Sequence, residues 1–255
     1  MTQTVMAGRD WWRGSDALLR FIGDLIAAEA TRLRPTDKPL PAVTLLRDTR
    51  LDQDGLGFDS LERLQVASAL SEALHLHEGG IENYLLTRST FGEWCEAASE
   101  SLPRFSTSLT FRTSGSTGIP KPCSHPLAGL EQEVDALSEL LCGGSRVLAA
   151  VPCHHIYGFL FTVLLPCRLG NVPVLDVRGH SPGALAKMAR QDDIVVGHPA
   201  FWAAVSRAAS SGWPPGVTGV TSTAPCPAET AVALRTAGLS RLLQIHGSSE
   251  TAGLG

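Results

Sequence analysis

The first hundred residues carry apolar side chains at helical spacing. Ala17, Leu18, Phe21 and Ile22 begin a pattern that repeats every three to four residues and predicts a helix over 15–33. A second helix is predicted over 60–76, with Asp59 or Ser60 as its N-cap and Gly79-Gly80 after its end. A short helix over 81–86 and a last one capped by Ser89 or Thr90 complete a four-helix layout.

From residue 101 onward, short apolar runs rich in β-branched residues alternate with helical patterns. Strands are predicted over 109–112, 146–151, 172–175, 194–196, 219–221 and 242–245. Helices are predicted over 131–141, 156–165, 201–209 and 227–237, with another after Ser181. This alternation is typical of βαβ units and a parallel sheet. We therefore predict an α/β protein with two domains, a small helical domain over 1–100 and part of a parallel-sheet domain over 101–255.

Composition and charge restrict the function. The chain has 255 residues, of which 44% are hydrophobic and 18% charged, so it is not a disordered chain. No apolar run reaches the roughly 18 residues of a membrane span, and no signal peptide is visible, so we predict a cytoplasmic protein. Residues 41–100 hold four basic and eleven acidic side chains. This segment argues against a nucleic-acid partner and favours an acidic module that meets basic protein surfaces.

The head of the second predicted helix, residues 56–61, reads LGFDSL. With the four-helix layout, it resembles an acyl carrier protein over about residues 15–100. The resemblance implies that a phosphopantetheinyl transferase attaches a 4′-phosphopantetheine arm to Ser60. It also implies downstream partners of the acyltransferase or ketosynthase type. Arg63 departs from the pattern, because many carriers have an acidic or neutral residue there. A serine that only caps the helix is the alternative.

The loop from Thr113 to Lys121 follows the first predicted strand and reads TSGSTGIPK. Its two glycines let backbone N–H groups approach an anion, its four hydroxyls can donate to phosphate oxygens, and its lysine supplies a cation. The spacing is not that of a Walker A loop, and no GxSxG motif is present. A flexible linker and a serine hydrolase that uses Ser114 or Ser116 are the alternatives.

Three further stretches follow this loop. They are VPCHHIYGF at 151–159, TSTAP at 221–225 and QIHGSSETAG at 244–253. In type and order, the four stretches resemble the adenylate-forming superfamily, which includes acyl-CoA synthetases, aryl-CoA ligases and adenylation domains. The resemblance covers about residues 105–255. It implies an ATP-dependent ligase with Mg²⁺.

The resemblance also implies roles for individual residues. The phosphates of ATP would be bound by Thr113, Ser114, Gly115, Ser116, Thr117, Gly118 and Lys121. The adenylate would be bound by Ala224, Pro225, His246, Gly247 and Ser249. Glu250 would bind Mg²⁺ and His155 would lie beside the acyl pocket, so that Lys121, Glu250 and His155 carry the catalysis. Four positions depart from the family pattern, namely Pro122, Ser222, Thr223 and His246.

In such enzymes a carboxylate attacks the α-phosphate of ATP, and a thiol then takes the acyl group from the adenylate. The substrate is predicted to be a small aryl or acyl carboxylic acid, and the natural acceptor the arm on Ser60, which tethering keeps at high local concentration. Because the sequence ends soon after Glu250, we expect a fragment of a longer ligase. A carrier or interaction protein with a non-catalytic adenylation remnant is the alternative function.

Two other interpretations of the sequence are weaker. Cys153, His154 and His155, with Cys123 and His125, could suggest zinc, but their spacing matches no standard site. Trp11, Trp12 and Trp94 are predicted to pack in the core, since no basic patch accompanies them.

Overall fold

The computed structural model describes residues 10–13, 16–34, 45–80, 84–113, 121–208, 212–248 and 252–254. The chain forms two compact units, Met1–Gly129 and Leu130–Gly255. The boundary between these units differs from the predicted domain boundary at residue 100, because the first two strands belong to the same unit as the N-terminal helices. The carrier-like and adenylation identities of the two predicted domains stay predictions.

Four helices build most of the first unit. They are α1 (Ala17–Leu33), α2 (Ser60–Leu74), α3 (Tyr84–Thr87) and α4 (Phe91–Ser101). The apolar faces read from the sequence are buried: Phe21 and Ile22 of α1, Leu70 of α2 and Trp94 of α4 are all 0% exposed. Trp11 lies edge-on to Phe21, with ring centroids 5.9 Å apart. Four helices are thus present near the predicted positions, although α3 begins three residues later than expected. The tryptophans pack in the core as predicted.

The ends of these helices follow local capping chemistry. Asp59 is the N-cap of α2, where its Oδ1 accepts from the Glu62 N–H at 2.8 Å and its own N–H donates to Glu62 Oε2 at 2.9 Å. Thr90 and Glu93 form the same capping box at α4. The predicted end of α2 is wrong by two residues, because His75 takes the left-handed conformation at φ 51° and stops the helix before the glycines.

The Glu62 capping box has a consequence for pH dependence. A hydrogen bond from Arg34, and then one from the Asp59 N–H, hold the pKa of Glu62 below its usual value. A carboxyl group with a lowered folded-state pKa stabilises the protein above the unfolded-state pKa and loses that contribution as the pH falls. We expect Glu62→Gln to make the free energy of unfolding less dependent on pH between about pH 5 and pH 3. Urea unfolding at several pH values measures this, with exposed Glu139 as the Glu139→Gln control. Equal slopes for wild type and Glu62→Gln would contradict the assignment.

Two antiparallel strands, β1 (Ser108–Arg112) and β2 (Pro122–Pro126), complete the first unit. Their register pairs Arg112 with Pro122 across the loop. The sequence predicted β1 but placed it with the parallel sheet, and it missed β2, whose residues Pro-Cys-Ser-His-Pro have low strand propensity. Pairing with β1 overrides that low propensity. The two strands form a sheet of their own, separate from the parallel sheet.

The second unit is an α/β fold built on a five-stranded sheet of order β4-β3-β5-β6-β7, with every neighbouring pair parallel. Its strands are β3 (Arg146–Ala149), β4 (Val174–Asp176), β5 (Asp193–Gly197), β6 (Thr218–Thr221) and β7 (Arg241–Gln244). The predicted parallel sheet is thus confirmed. A two-stranded antiparallel sheet, β8 (His246–Ser248) with β9 (Ala252–Leu254), follows it and was not predicted.

One helix precedes the first of these strands, and the others connect successive strands. They are α5 (Leu127–Leu140), which begins in the first unit, α6 (Ile156–Phe159), α7 (Leu165–Arg168), α8 (Pro182–Met188), α9 (Pro199–Ala208) and α10 (Ala228–Thr236). A π-helical turn over Leu160–Leu164 joins α6 to α7, so the predicted apolar helix runs three residues further than expected. In the core, Trp202 of α9 is fully buried and its Nε1–H donates to the Val220 carbonyl at 3.0 Å. No helix in the part of the chain that the structure describes is long and apolar enough to cross a membrane.

Candidate functional site

The order of the parallel strands indicates where a ligand is expected to bind on the sheet of the second unit. The chain passes from β3 to β4 on one side and then returns to place β5 on the other side of β3. Ligands of such sheets bind beyond the carboxyl ends of the strands, at the point where the order reverses. His154 and His155 follow β3 and His198 follows β5, so histidines lie at this switch point.

The histidine stretch after β3 is held by a hydrogen bond across the switch point. Tyr157 Oη–H donates to the Gly197 carbonyl at the end of β5, at 2.9 Å. Burial raises the pKa of Tyr157, so the phenol stays protonated and remains a donor. The sequence did not single out Tyr157, although it lies in the motif. Its position two residues after the predicted His155 was the available signal.

His154 and His155 differ in their surroundings. Their ring centroids lie 4.0 Å apart, and His155 is exposed whereas the Nδ1 atom of His154 is buried without a hydrogen-bond partner in the described structure. Burial, and then the neighbouring His155, lower the pKa of His154 well below its usual value. His154 is therefore neutral at physiological pH, and His155 is the histidine of the pair that solvent or a ligand can reach.

The segment that follows β6 is hydrogen-bonded to residues at the end of β7. Ser222 Oγ–H donates to the Ile245 carbonyl at 2.9 Å, and the Cys226 N–H donates to Gln244 Oε1 at 2.9 Å. The Nε2 atom of the Gln244 amide lies 3.3 Å from His246 Nε2. The predicted stretches at 221–225 and 244–253 are thus in contact through Ser222 and Ile245. Gln244, which the sequence did not single out, adds a bond to Cys226, directly after the first stretch. Ala224, Pro225, His246 and Gly247 are all exposed.

Thr223 occupies a strained backbone conformation in this segment. Its φ is 78°, which β-branched residues rarely adopt, and strain of this kind costs about 1–3 kcal/mol. Since glycine adopts this conformation freely, we expect Thr223→Gly to raise the free energy of unfolding by about 1 kcal/mol. Thr223→Ala keeps a Cβ atom and should not stabilise the protein. Denaturant unfolding of the three proteins tests this, and equal effects of the two substitutions would show that the strain is not relieved by glycine.

The base of the TSGSTGIPK loop is fixed in the first unit. The Thr113 N–H donates to the Lys121 carbonyl at 3.0 Å, and the Lys121 N–H donates to Thr113 Oγ1 at 3.3 Å. The Lys121 side chain is exposed. These bonds bring the two ends of the loop together and present the lysine to solvent. Several predicted residues lie outside the described part of the chain, namely Ser114, Gly115, Ser116, Thr117, Gly118, Ser249 and Glu250.

Arg112, directly before this loop, anchors β1 on two helices. Its Nε–H donates to Glu72 Oε2 of α2 at 2.7 Å, and its Nη1 donates to Glu29 Oε1 of α1 at 3.1 Å. Glu29 is buried at 7% exposure, so the pair is partly shielded from water. This anchor was missed in the sequence, because its partners lie 40 and 83 residues away.

The comparisons with known proteins identify the family. The AMP-binding enzyme family matches residues 46–255. The chain belongs to the AMP-binding enzyme family. Its match includes the Thr113–Lys121 loop and the stretches at 221–225 and 244–253, which confirms the resemblance at the level of the family.

Curated relatives of the AMP-binding enzyme family align with most of the chain. One is a 4-coumarate–CoA ligase of Halorhodospira halophila, 39% identical over 243 residues, which cover 94% of this chain and 61% of that protein. Another is a 4-coumarate–CoA ligase of Rhodobacter capsulatus, 36% identical, with 92% of this chain and 62% of that protein covered. The chain therefore spans about three fifths of the length of these relatives.

A solved structure supports the fold. Apo MatB from Rhodopseudomonas palustris matches 92% of this chain and 55% of its own, with a TM-score of 0.56 and 12% identity. At this identity the likeness concerns the fold alone, and it agrees with the adenylate-forming α/β fold predicted from the sequence.

The carrier-like resemblance of residues 1–100 is not confirmed. The family match begins at residue 46 and includes Ser60, and the aligned relatives are CoA ligases rather than carriers. Ser60 is nevertheless not the helix cap, because Asp59 holds that position and Ser60 is the exposed first residue of α2. The interpretation of Ser60 as a plain cap is therefore wrong.

The cysteines and histidines that were considered and disfavoured as zinc ligands are not brought together among the described residues. Among the described residues, the His, Cys, Asp and Glu side chains close enough to share one ion are those of His75, His77 and Glu78. The set of Cys153, His154 and His155 is not such a group.

Proposed function

We propose that this chain activates a small carboxylic acid as an acyl-adenylate at the expense of ATP and passes the acyl group to a pantetheine thiol. The observation that carries the proposal is the TSGSTGIPK loop, with its ends held together by Thr113 and Lys121, within an AMP-binding family match. The histidines at the sheet's switch point and the segment tied by Gln244 support it.

In the first step an oxygen of the substrate carboxylate attacks the α-phosphorus of ATP, and the bond to pyrophosphate breaks. Because little covalent chemistry is required of the protein, catalysis consists of positioning and charge stabilisation. Thr113 and Lys121 bind the leaving phosphates, with Ser114, Gly115, Ser116, Thr117 and Gly118. Mg²⁺ supplies further charge neutralisation when it is bound, and Glu250 offers the carboxylate oxygen that this ion prefers.

The adenylate end is assigned to the segment around Gln244. Ala224 and Pro225 offer an exposed backbone and ring surface to adenine, and His246 offers an aromatic face in place of the family's usual residue. The neighbouring Gly247 and Ser249 complete this set. Because Gln244 bonds the Cys226 N–H directly after Pro225 and lies beside His246, we propose it as a positioning residue for the adenylate.

The acid is assigned to the aromatic class. The exposed His155 follows β3 and is succeeded by the buried apolar residues of α6 and the π-helical turn. The names of the aligned relatives, 4-coumarate–CoA ligases, agree with an aryl acid. His155 would contact the acid's carboxyl end, and the neutral His154 would support it without adding charge.

Two acceptors share the same pantetheine thiol. Free CoA is the acceptor that the relatives' names favour. The second candidate is a 4′-phosphopantetheine arm on Ser60, favoured by the exposure of Ser60 at the head of α2 and of Leu61 and Leu64 beside it. In that case a phosphopantetheinyl transferase and downstream acyltransferase or ketosynthase-type enzymes are further partners. The free cysteines agree with a cytoplasmic location, which we also propose.

Binding of adenylate analogues tests the substrate class. The purified chain is titrated with sulfamoyl-adenosine analogues that carry a 4-coumaroyl group, an octanoyl group or no acyl group. We expect the aryl analogue to bind at least tenfold more tightly than unsubstituted sulfamoyl-adenosine, since intermediate analogues bind more tightly than fragments. Equal affinities would contradict an acyl site, and preference for the octanoyl analogue would reassign the substrate.

Intact mass distinguishes the two acceptors. The chain and its Ser60→Ala variant are produced together with a broad-specificity phosphopantetheinyl transferase. A mass gain of one phosphopantetheine in wild type only would support the arm on Ser60. An unmodified wild type would assign the acceptor role to free CoA. A carrier with a non-catalytic adenylation remnant would show the mass gain and no binding of the aryl analogue.

A further inference from the structure

A cluster of metal-ligating side chains lies at the end of α2, outside the residues assigned to ATP. His75, His77 and Glu78 each offer one ligand atom, and these atoms all lie within 4.8 Å of one another. The His77 Nε2 atom lies 3.6 Å from Glu78 Oε1, and the His75 and His77 ring centroids are 5.6 Å apart. The three side chains converge on one small volume.

Backbone hydrogen bonds and the left-handed His75 fix the geometry of this turn. His75 is left-handed at φ 51°, the Leu76 N–H donates to the Ser71 carbonyl at 3.0 Å, and the Glu78 N–H donates to the His75 carbonyl at 3.0 Å. The positions from which the three ligands project are therefore set by the end of α2. A metal ion would need only side-chain rotations to be bound.

A hydroxyl group orients one of the two imidazoles. The Nε2 atom of His75 lies 3.0 Å from Thr110 Oγ1, and Thr110 Oγ1 lies 2.7 Å from Ser124 Oγ. Thr110 is buried at 4% exposure, and the His75 ring also packs beside Phe105. Metal-binding histidines commonly use their second ring nitrogen in this way, which fixes the ring and its tautomer. With Nε2 on Thr110, Nδ1 of His75 is the nitrogen left for a metal.

We propose that His75, His77 and Glu78 form a binding site for a first-row transition-metal dication, of which Zn²⁺ is the representative ion. Two imidazoles with one carboxylate match zinc sites in which water fills the fourth position. Imidazole ligands favour Zn²⁺, Ni²⁺ and Co²⁺ over Mg²⁺, so this site is chemically different from the Mg²⁺ site assigned to Glu250. A bound ion would link the end of α2 to the β1–β2 hairpin through Thr110 and Ser124.

Direct metal titration of the full chain without nucleotide tests the proposal, so its outcome is independent of the adenylation function. Zn²⁺ is followed by calorimetry and Co²⁺ by visible absorption. We expect one equivalent bound, at least tenfold weaker binding in His77→Ala, and weaker binding in Glu78→Gln. His180→Ala, which removes an exposed histidine elsewhere, should bind as wild type does. Because His77 is exposed, we expect His77→Ala to fold as wild type does, and circular dichroism checks this.

Two results would overturn the proposal. One is unchanged metal affinity in His77→Ala, and the other is a thiolate charge-transfer band in the Co²⁺ spectrum, which would assign the ion to cysteine.

The orienting role of Thr110 is tested separately, by comparing the metal affinities of two Thr110 variants. Loss of an orienting partner lowers metal affinity by about 10–100-fold, so Thr110→Val should bind the metal ion weakly. Thr110→Ser keeps the hydroxyl and should bind the metal ion as wild type does. Equal affinities of these two variants would remove Thr110 from the site.

Discussion

Replacing Gly158 with alanine is expected to destabilise the protein by about 3 kcal/mol. A Cβ atom at this position would lie 1.9 Å from the carbonyl oxygen of Pro152, which is a main-chain atom and cannot rotate away. Relief of the clash would require the 152–158 turn to open, with loss of the Tyr157 hydrogen bond to the Gly197 carbonyl. The glycine of the VPCHHIYGF stretch is therefore required by packing at the switch point of the sheet.

Denaturant unfolding measures this effect against a matched control. Gly183 of α8 has only ordinary contacts for an added Cβ atom, the nearest being Ala208 Cβ at 3.9 Å. Since alanine is the better helix former, Gly183→Ala should leave the free energy of unfolding unchanged or raise it by up to about 1 kcal/mol. Equal stability of Gly158→Ala and wild type would show that the turn does not have the described geometry.

Lys121→Ala is expected to weaken ATP binding at least tenfold and to leave AMP binding almost unchanged. The lysine is exposed at the base of the loop, where Thr113 holds it opposite the start of the glycine-rich segment. A charge-assisted hydrogen bond to a phosphate contributes roughly 1.5–3 kcal/mol, which corresponds to at least a tenfold change in affinity. Because AMP lacks the β- and γ-phosphates, it does not need this contact.

The comparison of two nucleotides and two lysines makes the Lys121 prediction specific. Calorimetric titration with ATP and AMP is repeated for Lys187→Ala, whose lysine is exposed on α8. That control should bind both nucleotides as wild type does. An equal loss of ATP and AMP affinity in Lys121→Ala would indicate a damaged fold, and no loss would remove Lys121 from the phosphate site.

The parallel sheet was predictable because short strand patterns alternate with helical patterns along residues 101–255. β5 is buried at all five positions and β6 at all four, the pattern of strands covered on both faces. The cap residues Asp59 and Thr90 were among those predicted, because the N-cap and its partner lie within four consecutive residues. Features whose cause lies within one segment could therefore be read from the sequence.

Features that depend on distant partners could not be read in this way. β2 forms only because it pairs with β1 across the loop, and its own residues do not favour a strand. Arg112 is anchored by glutamates of two different helices, and Gln244 accepts a hydrogen bond from the Cys226 N–H, 18 residues away. The end of α2 was also misplaced, because a left-handed histidine is uncommon and the following glycines are the usual signal.

Calorimetric titration of the full chain with Mg²⁺-ATP tests whether this chain binds ATP and an acyl-adenylate at one site. We expect one saturable site per chain, from which the 4-coumaroyl sulfamoyl-adenosine analogue displaces ATP competitively. Absence of saturable ATP binding, or ATP binding that persists when the analogue is saturating, would contradict it.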